Sequence, residues 1–207
     1  AFRVGRYFIQ SSPVALILGD NLFYGADMTE RLQEARRRHH GATVFAYHVA
    51  DPERYGVVTF NASGQAEEIV EKPAHPLSSW AVTGLYFYDN SVVEIAAALT
   101  PSDRGELEIT DVNQHYLNQG QLRVVKLGKG YAWLDTGTHE SLLEASEFVR
   151  TLEKRQGTLI GSPDMAALLN GYISHESVSS LASRLQKNSY GAALKALLAD
   201  TGPAQPL

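Results

Sequence analysis

Val14-Ala15-Leu16-Ile17-Leu18-Gly19-Asp20-Asn21, followed by Ala42-Thr43-Val44-Phe45-Ala46-Tyr47-His48-Val49, decides the architecture. Both stretches contain an unbroken apolar run, the pattern of a strand buried on both faces. Between them, residues 27–40 carry a helical pattern whose polar face is Arg31, Glu34, Arg36, Arg37 and Arg38. Strand, helix, strand in that order is a βαβ unit. The expected class is therefore α/β, with a mostly parallel sheet covered on its faces.

Upstream, residues 1–10 read as the tail of a helix with Phe2, Val4, Phe8 and Ile9 as its apolar positions. Ser11-Ser12-Pro13 ends it. Downstream come shorter strands at Gly56–Phe60, Ala66–Glu71 and Ala81–Tyr88, separated by turns with Asn61, Gly64, Pro73 and Pro76. Ser91–Leu99 reads as a helix with a Ser-Val-Val-Glu capping box. Glu108–Asn118 is a further helix, and Leu122–Leu127 and Tyr131–Leu134 are strands. From Thr138 the pattern turns helical: 138–153, a short helix opened by Pro163, and one or two more over 178–199. Two domains are expected, an α/β body at 1–137 and a helical region at 138–207.

The 207 residues include 18 basic and 23 acidic side chains, a net charge of −5, and 44% apolar residues, the profile of a soluble globular protein. That mild acidity argues against a broad nucleic-acid footprint. No apolar run approaches the roughly 20 residues of a membrane helix. Cysteine is absent, which excludes disulfides, thiolate zinc sites and a cysteine nucleophile, and fits a cytoplasmic protein. The seven histidines show no metal-ligand spacing, and neither GxSxG nor GxxxxGK occurs.

Four places carry candidate chemistry. Asp20 follows a strand at its carboxyl end, where ligands collect in open α/β sheets, although aspartate is also a common turn residue. Asp135 likewise ends a strand and precedes a helix, with Thr136 or Thr138 as the helix cap. Two such carboxylates meeting across a cleft suit Mg²⁺, which takes one or two carboxylates plus substrate phosphates. In Glu71-Lys72-Pro73, the proline is expected to hold Lys72 extended at a strand end, a point charge for a phosphate, with Glu71 free to accept sugar hydroxyls. An exposed ion pair before a turn is the other reading. Arg104 lies beside a helix start, where an anion is welcome, in a segment whose acidic residues also suit a first helical turn.

In order along the chain, six segments resemble one family: Leu18–Gly25, Asp51–Val58 (Asp-Pro-Glu-Arg-Tyr-Gly-Val-Val), Glu71-Lys72-Pro73, Ala81–Asp89, Arg104–Asn113 and Trp133–His139. The family is glucose-1-phosphate thymidylyltransferase, a sugar nucleotidyltransferase, and the similarity covers essentially the whole chain. The resemblance implies a Rossmann-like mixed sheet of the nucleotidyltransferase type with a C-terminal helical appendage. It implies transfer from dTTP to α-D-glucose 1-phosphate, giving dTDP-glucose and diphosphate as the opening step of dTDP-L-rhamnose synthesis. Mg²⁺ is the implied cofactor, with Asp20 and Asp135 as its ligands. Lys72 and Arg104 are the implied phosphate holders. Asn21, Tyr55, Gly56, Glu71, Val82, Gly84, Tyr86 and Trp133 are the implied substrate contacts. A homotetramer, or another homo-oligomer, through the C-terminal helices is implied, with no nucleic acid or membrane as partner. The family's GGxGTRL loop, which holds the nucleotide phosphates, has no counterpart here. The expectation is a partial α/β body carrying the sugar and metal side, with little activity alone. The alternatives are a non-catalytic assembly remnant and an enzyme of another base preference.

Overall fold

The structure is a computed structural model and describes residues 1–201. The chain divides into two compact units, Ala1–Gly137 and Thr138–Leu207. Of the helical region expected at 138–207, residues 202–207 lie outside the described residues.

In the first unit, α1 (Phe2–Ile9) leads into β1 (Val14–Ile17), β2 (Asn21–Gly25), α2 (Met28–Arg37) and β3 (Ala42–His48). A 3-10 turn at Pro52–Arg54 precedes β4 (Gly56–Phe60), β5 (Ala66–Glu71) and β6 (Trp80–Tyr88). Then follow α3 (Val92–Ala98), α4 (Ile109–Asn118), β7 (Leu122–Leu127) and β8 (Tyr131–Asp135). The main sheet runs β5-β4-β6-β3-β7, with β1 also on β6. β1, β3, β4 and β7 share one direction, and β5 and β6 run against them. Antiparallel β6 is inserted among the codirectional strands. Among the described strands, β3–β7 is therefore the parallel ladder, and the sheet is mixed.

β6 organises this unit. Its even positions Trp80, Val82, Tyr86 and Tyr88 join Phe2, Ile9, Val92, Ala96, Val112 and Tyr116 in one core, under α1, α3 and α4. Its odd positions Leu85 and Phe87 join Ala35, Phe45 and Leu127 in a second core, under α2 and the β2–β8 ribbon. Alternation thus feeds two faces, each buried side chain contributing about 1.5–3 kcal/mol. Gly84 continues the even face without a side chain.

β1 departs from the sequence reading. It was expected to be buried on both faces, yet Ile17 is 56% and Leu18 41% exposed. Among the described strands β1 pairs only with β6, and only Val14 and Leu16 turn into the core. The capping box expected at Ser91 is also absent: its hydroxyl donates to Asp89 instead.

The second unit contains α5 (His139–Gln156), α6 (Pro163–Leu169), α7 (His175–Arg184) and α8 (Ser189–Thr201). Thr138, Ser162 and Ser174 each accept from the backbone N–H three residues on, satisfying orphan donors at three helix starts. Gly157, at φ 66°, closes α5 in the left-handed conformation. Met165, Leu168, Val178, Ala182, Leu194 and Leu198 form this unit's own core.

Candidate active site

β1 and β4 lie end to end along the same edge of β6. Ile17, the last residue of β1, sits opposite Leu85, and Val57 in β4 sits opposite Ala81. The edge is open between them, over Val82 and Thr83, and a polar pocket of about 230 Å³ occupies that gap. Leu18 N–H donates to the Gly84 carbonyl at 2.8 Å, and Gly84 N–H donates to Asn21 Oδ1 at 3.0 Å. A Cβ on residue 84 would stand 2.5 Å from that oxygen, so only glycine permits the approach.

Asn21 is fixed at three points. Its Oδ1 also accepts from Trp133 Nε1 at 2.7 Å, and its Nδ2 donates to Asp20 Oδ1 at 2.9 Å. The antiparallel β2–β8 ribbon sets Asn21 opposite Asp135, which brings Asp20 beside Asp135. Thr136 locks the junction, donating through both N–H and Oγ1 to the Asp20 carbonyl. Both carboxylates face Gly137, whose Cβ position would be 3.4 Å from Asp135 Oδ1 and 3.7 Å from Asp20 Oδ2. No group of three or more His, Asp or Glu occurs at metal-binding distance among the described residues. Two hard carboxylates around a side-chain-free space fit a divalent ion that takes its remaining ligands from phosphates and water.

Across the gap, β4 starts at buried Gly56 and β5 ends at Glu71, paired in register. Thr110 Oγ1 donates to Glu71 Oε2. Lys72 follows at φ 42°, with its N–H donating to the Tyr55 carbonyl at 3.0 Å. The extended conformation expected from Pro73 is therefore replaced by the left-handed one. The Tyr55 bond turns the chain sharply after Glu71 and overrides the preference of a pre-proline residue. Tyr55 stacks tilted on Trp133 at 5.0 Å. Burial pushes the phenols of Tyr55 and Tyr86 upward, with the Glu71 charge adding to the effect at Tyr86. Both stay neutral donors at physiological pH.

Asp20, Asn21, Tyr55, Gly56, Glu71, Lys72, Val82, Gly84, Tyr86, Trp133 and Asp135 thus come together around one pocket. Arg104 does not line it. Its guanidinium sits 3.8 Å from Glu71, 3.2 Å from Glu106 and 3.5 Å from Glu108. Sequence reasoning missed Arg54, Thr110 and Asn113, which do line it. All three fall inside the Asp51–Val58 and Arg104–Asn113 segments, so their signal was position within a motif. Arg54 is held by Asp51 at 2.8 Å, a bond that raises its pKa against the effect of burial, with smaller help from Tyr55, Asp51 and Asp135.

A mixed sheet with a pocket in the broken edge of its central strand, two carboxylates on one rim, defines a ligand-binding α/β protein. The chain matches the Nucleotidyl transferase family over residues 1–151 and belongs to it. The glucose-1-phosphate thymidylyltransferase of Neisseria meningitidis is 54% identical over 198 residues, which cover 96% of this chain and 69% of the relative. The enzyme of that name from Xanthomonas campestris is 52% identical over 197 residues, covering 95% and 67%. A crystal structure from Bacillus anthracis, assigned as a glucose-1-phosphate thymidylyltransferase and holding a sucrose, matches with a TM-score of 0.64 at 41% identity. That match covers 71% of this chain and 58% of the other. The chain thus spans about two thirds of the length of its curated relatives.

Proposed function

We propose that this chain forms the sugar-phosphate and metal side of a glucose-1-phosphate thymidylyltransferase. A phosphate oxygen of glucose 1-phosphate attacks the α-phosphorus of dTTP. The bond from that phosphorus to the bridging oxygen breaks, and diphosphate leaves with the electron pair. The protein makes no covalent bond, so its contribution is positioning and charge neutralisation. Glu71 accepts sugar hydroxyls, while Gly84 admits the Asn21 side chain to the wall of the site. Val82 and Tyr86 wall the ring, and Tyr55, Gly56 and Trp133 close the opposite side. Lys72 and Arg104 hold the sugar phosphate, and Asn21 keeps Asp20 oriented. Asp20 and Asp135 hold Mg²⁺, which when bound neutralises charge on the phosphate oxygens.

The observation that carries this reading is the gathering of these residues, Arg104 excepted, around the gap in β6, in a chain about half identical to thymidylyltransferases. Those relatives' names favour thymine over other bases. Exposed Leu142, Leu143, Leu169 and Tyr172 on the helical unit support assembly into a homo-oligomer. A cytoplasmic place at the head of dTDP-rhamnose synthesis follows from the same reading.

The test is diphosphate release from dTTP and glucose 1-phosphate with Mg²⁺. It uses a chimera joining the amino-terminal segment of the Neisseria meningitidis relative to this chain. Turnover is expected, and Asp135→Asn should lower it at least a hundredfold while the circular-dichroism spectrum is kept. Undiminished turnover in the variant sinks the metal assignment, and an inactive parent chimera sinks the reaction.

A further inference from the structure

One side chain touches both halves of this pocket. The Asn21 amide is a rigid plane whose oxygen and nitrogen sit on one carbon. Its Oδ1 accepts from Gly84 N–H at 3.0 Å and from Trp133 Nε1 at 2.7 Å. Both partners can only donate, so the network itself fixes which end of the amide is oxygen. Nδ2 is thereby left facing Asp20, and it donates to Asp20 Oδ1 at 2.9 Å. The room for this comes from Gly84, where a Cβ would stand 2.5 Å from Asn21 Oδ1 and 2.7 Å from its Cγ. The backbone of Asn21 is tied as well, its N–H donating to the Leu18 carbonyl at 3.1 Å.

The two ends of the amide serve different ligands. Asn21, Gly84 and Trp133 all line the cavity. Trp133 also packs on Tyr55 and Tyr47, with ring centroids 5.0 and 6.1 Å away. That end is the sugar wall. The other end reaches Asp20, one of the two carboxylates around Gly137. Thr136 holds Asp20 by its main-chain carbonyl, whereas the Asn21 amide restrains the carboxylate itself. A ligand seated against Trp133 narrows the positions open to Asn21, and through Nδ2 those open to Asp20. Order imposed by one ligand need not be imposed again by the other, so each favours the other's binding.

We propose that Asn21 is a positioning residue that couples the metal side of the pocket to the sugar side. Glucose 1-phosphate tightens the hold on Mg²⁺ through this amide. By reciprocity, Mg²⁺ tightens the hold on glucose 1-phosphate by the same factor. The inference rests on the glucose 1-phosphate and Mg²⁺ readings given above.

The test measures that factor. Calorimetry gives the affinity of the chain for glucose 1-phosphate with and without saturating Mg²⁺, and for Mg²⁺ with and without glucose 1-phosphate. The phosphate brings a Mg²⁺ ligand of its own, but that share of the coupling is the same with or without Asn21. In Asn21→Ala, its fold checked by circular dichroism, the factor should fall about fivefold or more, whatever becomes of the two separate affinities. An unchanged factor makes Asn21 a structural prop; it overturns the inference and leaves the glucose 1-phosphate reading standing. No binding of glucose 1-phosphate, or of Mg²⁺, by the folded parent overturns the corresponding reading, and the inference with it. A second readout needs no variant at position 21. The chain has two tryptophans and so two indole N–H signals, and Trp80→Phe identifies that of Trp133. In a ¹⁵N spectrum of the parent, Mg²⁺ alone should move the Trp133 signal, because its acceptor Asn21 is bonded to Asp20, and leave that of Trp80 in place. A Trp133 signal that stays put as Mg²⁺ binds overturns the coupling.

Discussion

Arg104 holds its charge among three carboxylates, and binding a phosphate requires it to exchange at least one of them. Glu106, whose side chain is 62% exposed, is the partner most easily given up, since ion pairs in water are worth little. A phosphate offers the same guanidinium a charge-assisted and bidentate contact worth about 1.5–3 kcal/mol. In the active chimera, Arg104→Ala should raise the KM for glucose 1-phosphate by about tenfold to a hundredfold, leaving that for dTTP unchanged. Steady-state kinetics with each substrate varied decides it, and a shift confined to dTTP removes Arg104 from the sugar side. At this scale the carboxylates and Glu71-Lys72 were legible, because residue type and strand-end position both mark them. Asn113 was not. Nothing in its identity tells a solvent-facing amide from one buried against Tyr88, since that depends on how α4 packs.

Asp89 does for the elements what Asn21 does for the pocket. It follows β6 and accepts from Gly41 N–H at 2.6 Å just before β3, from Ser91 N–H and Oγ at the start of α3, and from Tyr116 in α4 at 2.8 Å. Burial pushes the Asp89 carboxyl up, but these hydrogen bonds together outweigh it and hold the group below its ordinary value. A depressed carboxyl stabilises the fold above its unfolded value, near 4, and loses that contribution as pH falls through the folded value. Asp89→Asn should therefore lower stability at neutral pH and flatten the decline on acidification, as urea midpoints between pH 3 and 7 will report. An unchanged acid slope excludes Asp89 as the group responsible. The apolar runs made β3 and β6 legible. β2 was missed because Asn21–Gly25 begins with turn residues and becomes a strand only by pairing with β8, far along the chain. Local sequence carries no sign of that register, although the register is what unites Asp20 with Asp135.

On the scale of the whole molecule, the switch at Thr138 from alternating strands to helical periodicity was visible as a change of pattern, and each unit has its own core. Leu194 is fully buried in the helical one. Leu194→Ala should cost that unit about 2–5 kcal/mol, by lost burial and a residual cavity. Glucose 1-phosphate binding, assigned wholly to residues before 138, should persist in the same variant. Calorimetry at a temperature where the parent is folded tests both, and loss of binding would show that the pocket depends on the helical unit.

Lys72 sits at φ 42°, a conformation that costs a side-chain-bearing residue about 1 kcal/mol and glycine almost nothing. Lys72→Gly should melt no lower than the parent while losing the ammonium that the proposed reaction uses. Thermal-shift curves beside a turnover assay would separate the two effects. Selection for heat resistance and selection for catalysis therefore favour different codons at this one position. A library of variants sorted only by survival at high temperature would accumulate glycine there, and its best-surviving members would be its poorest enzymes.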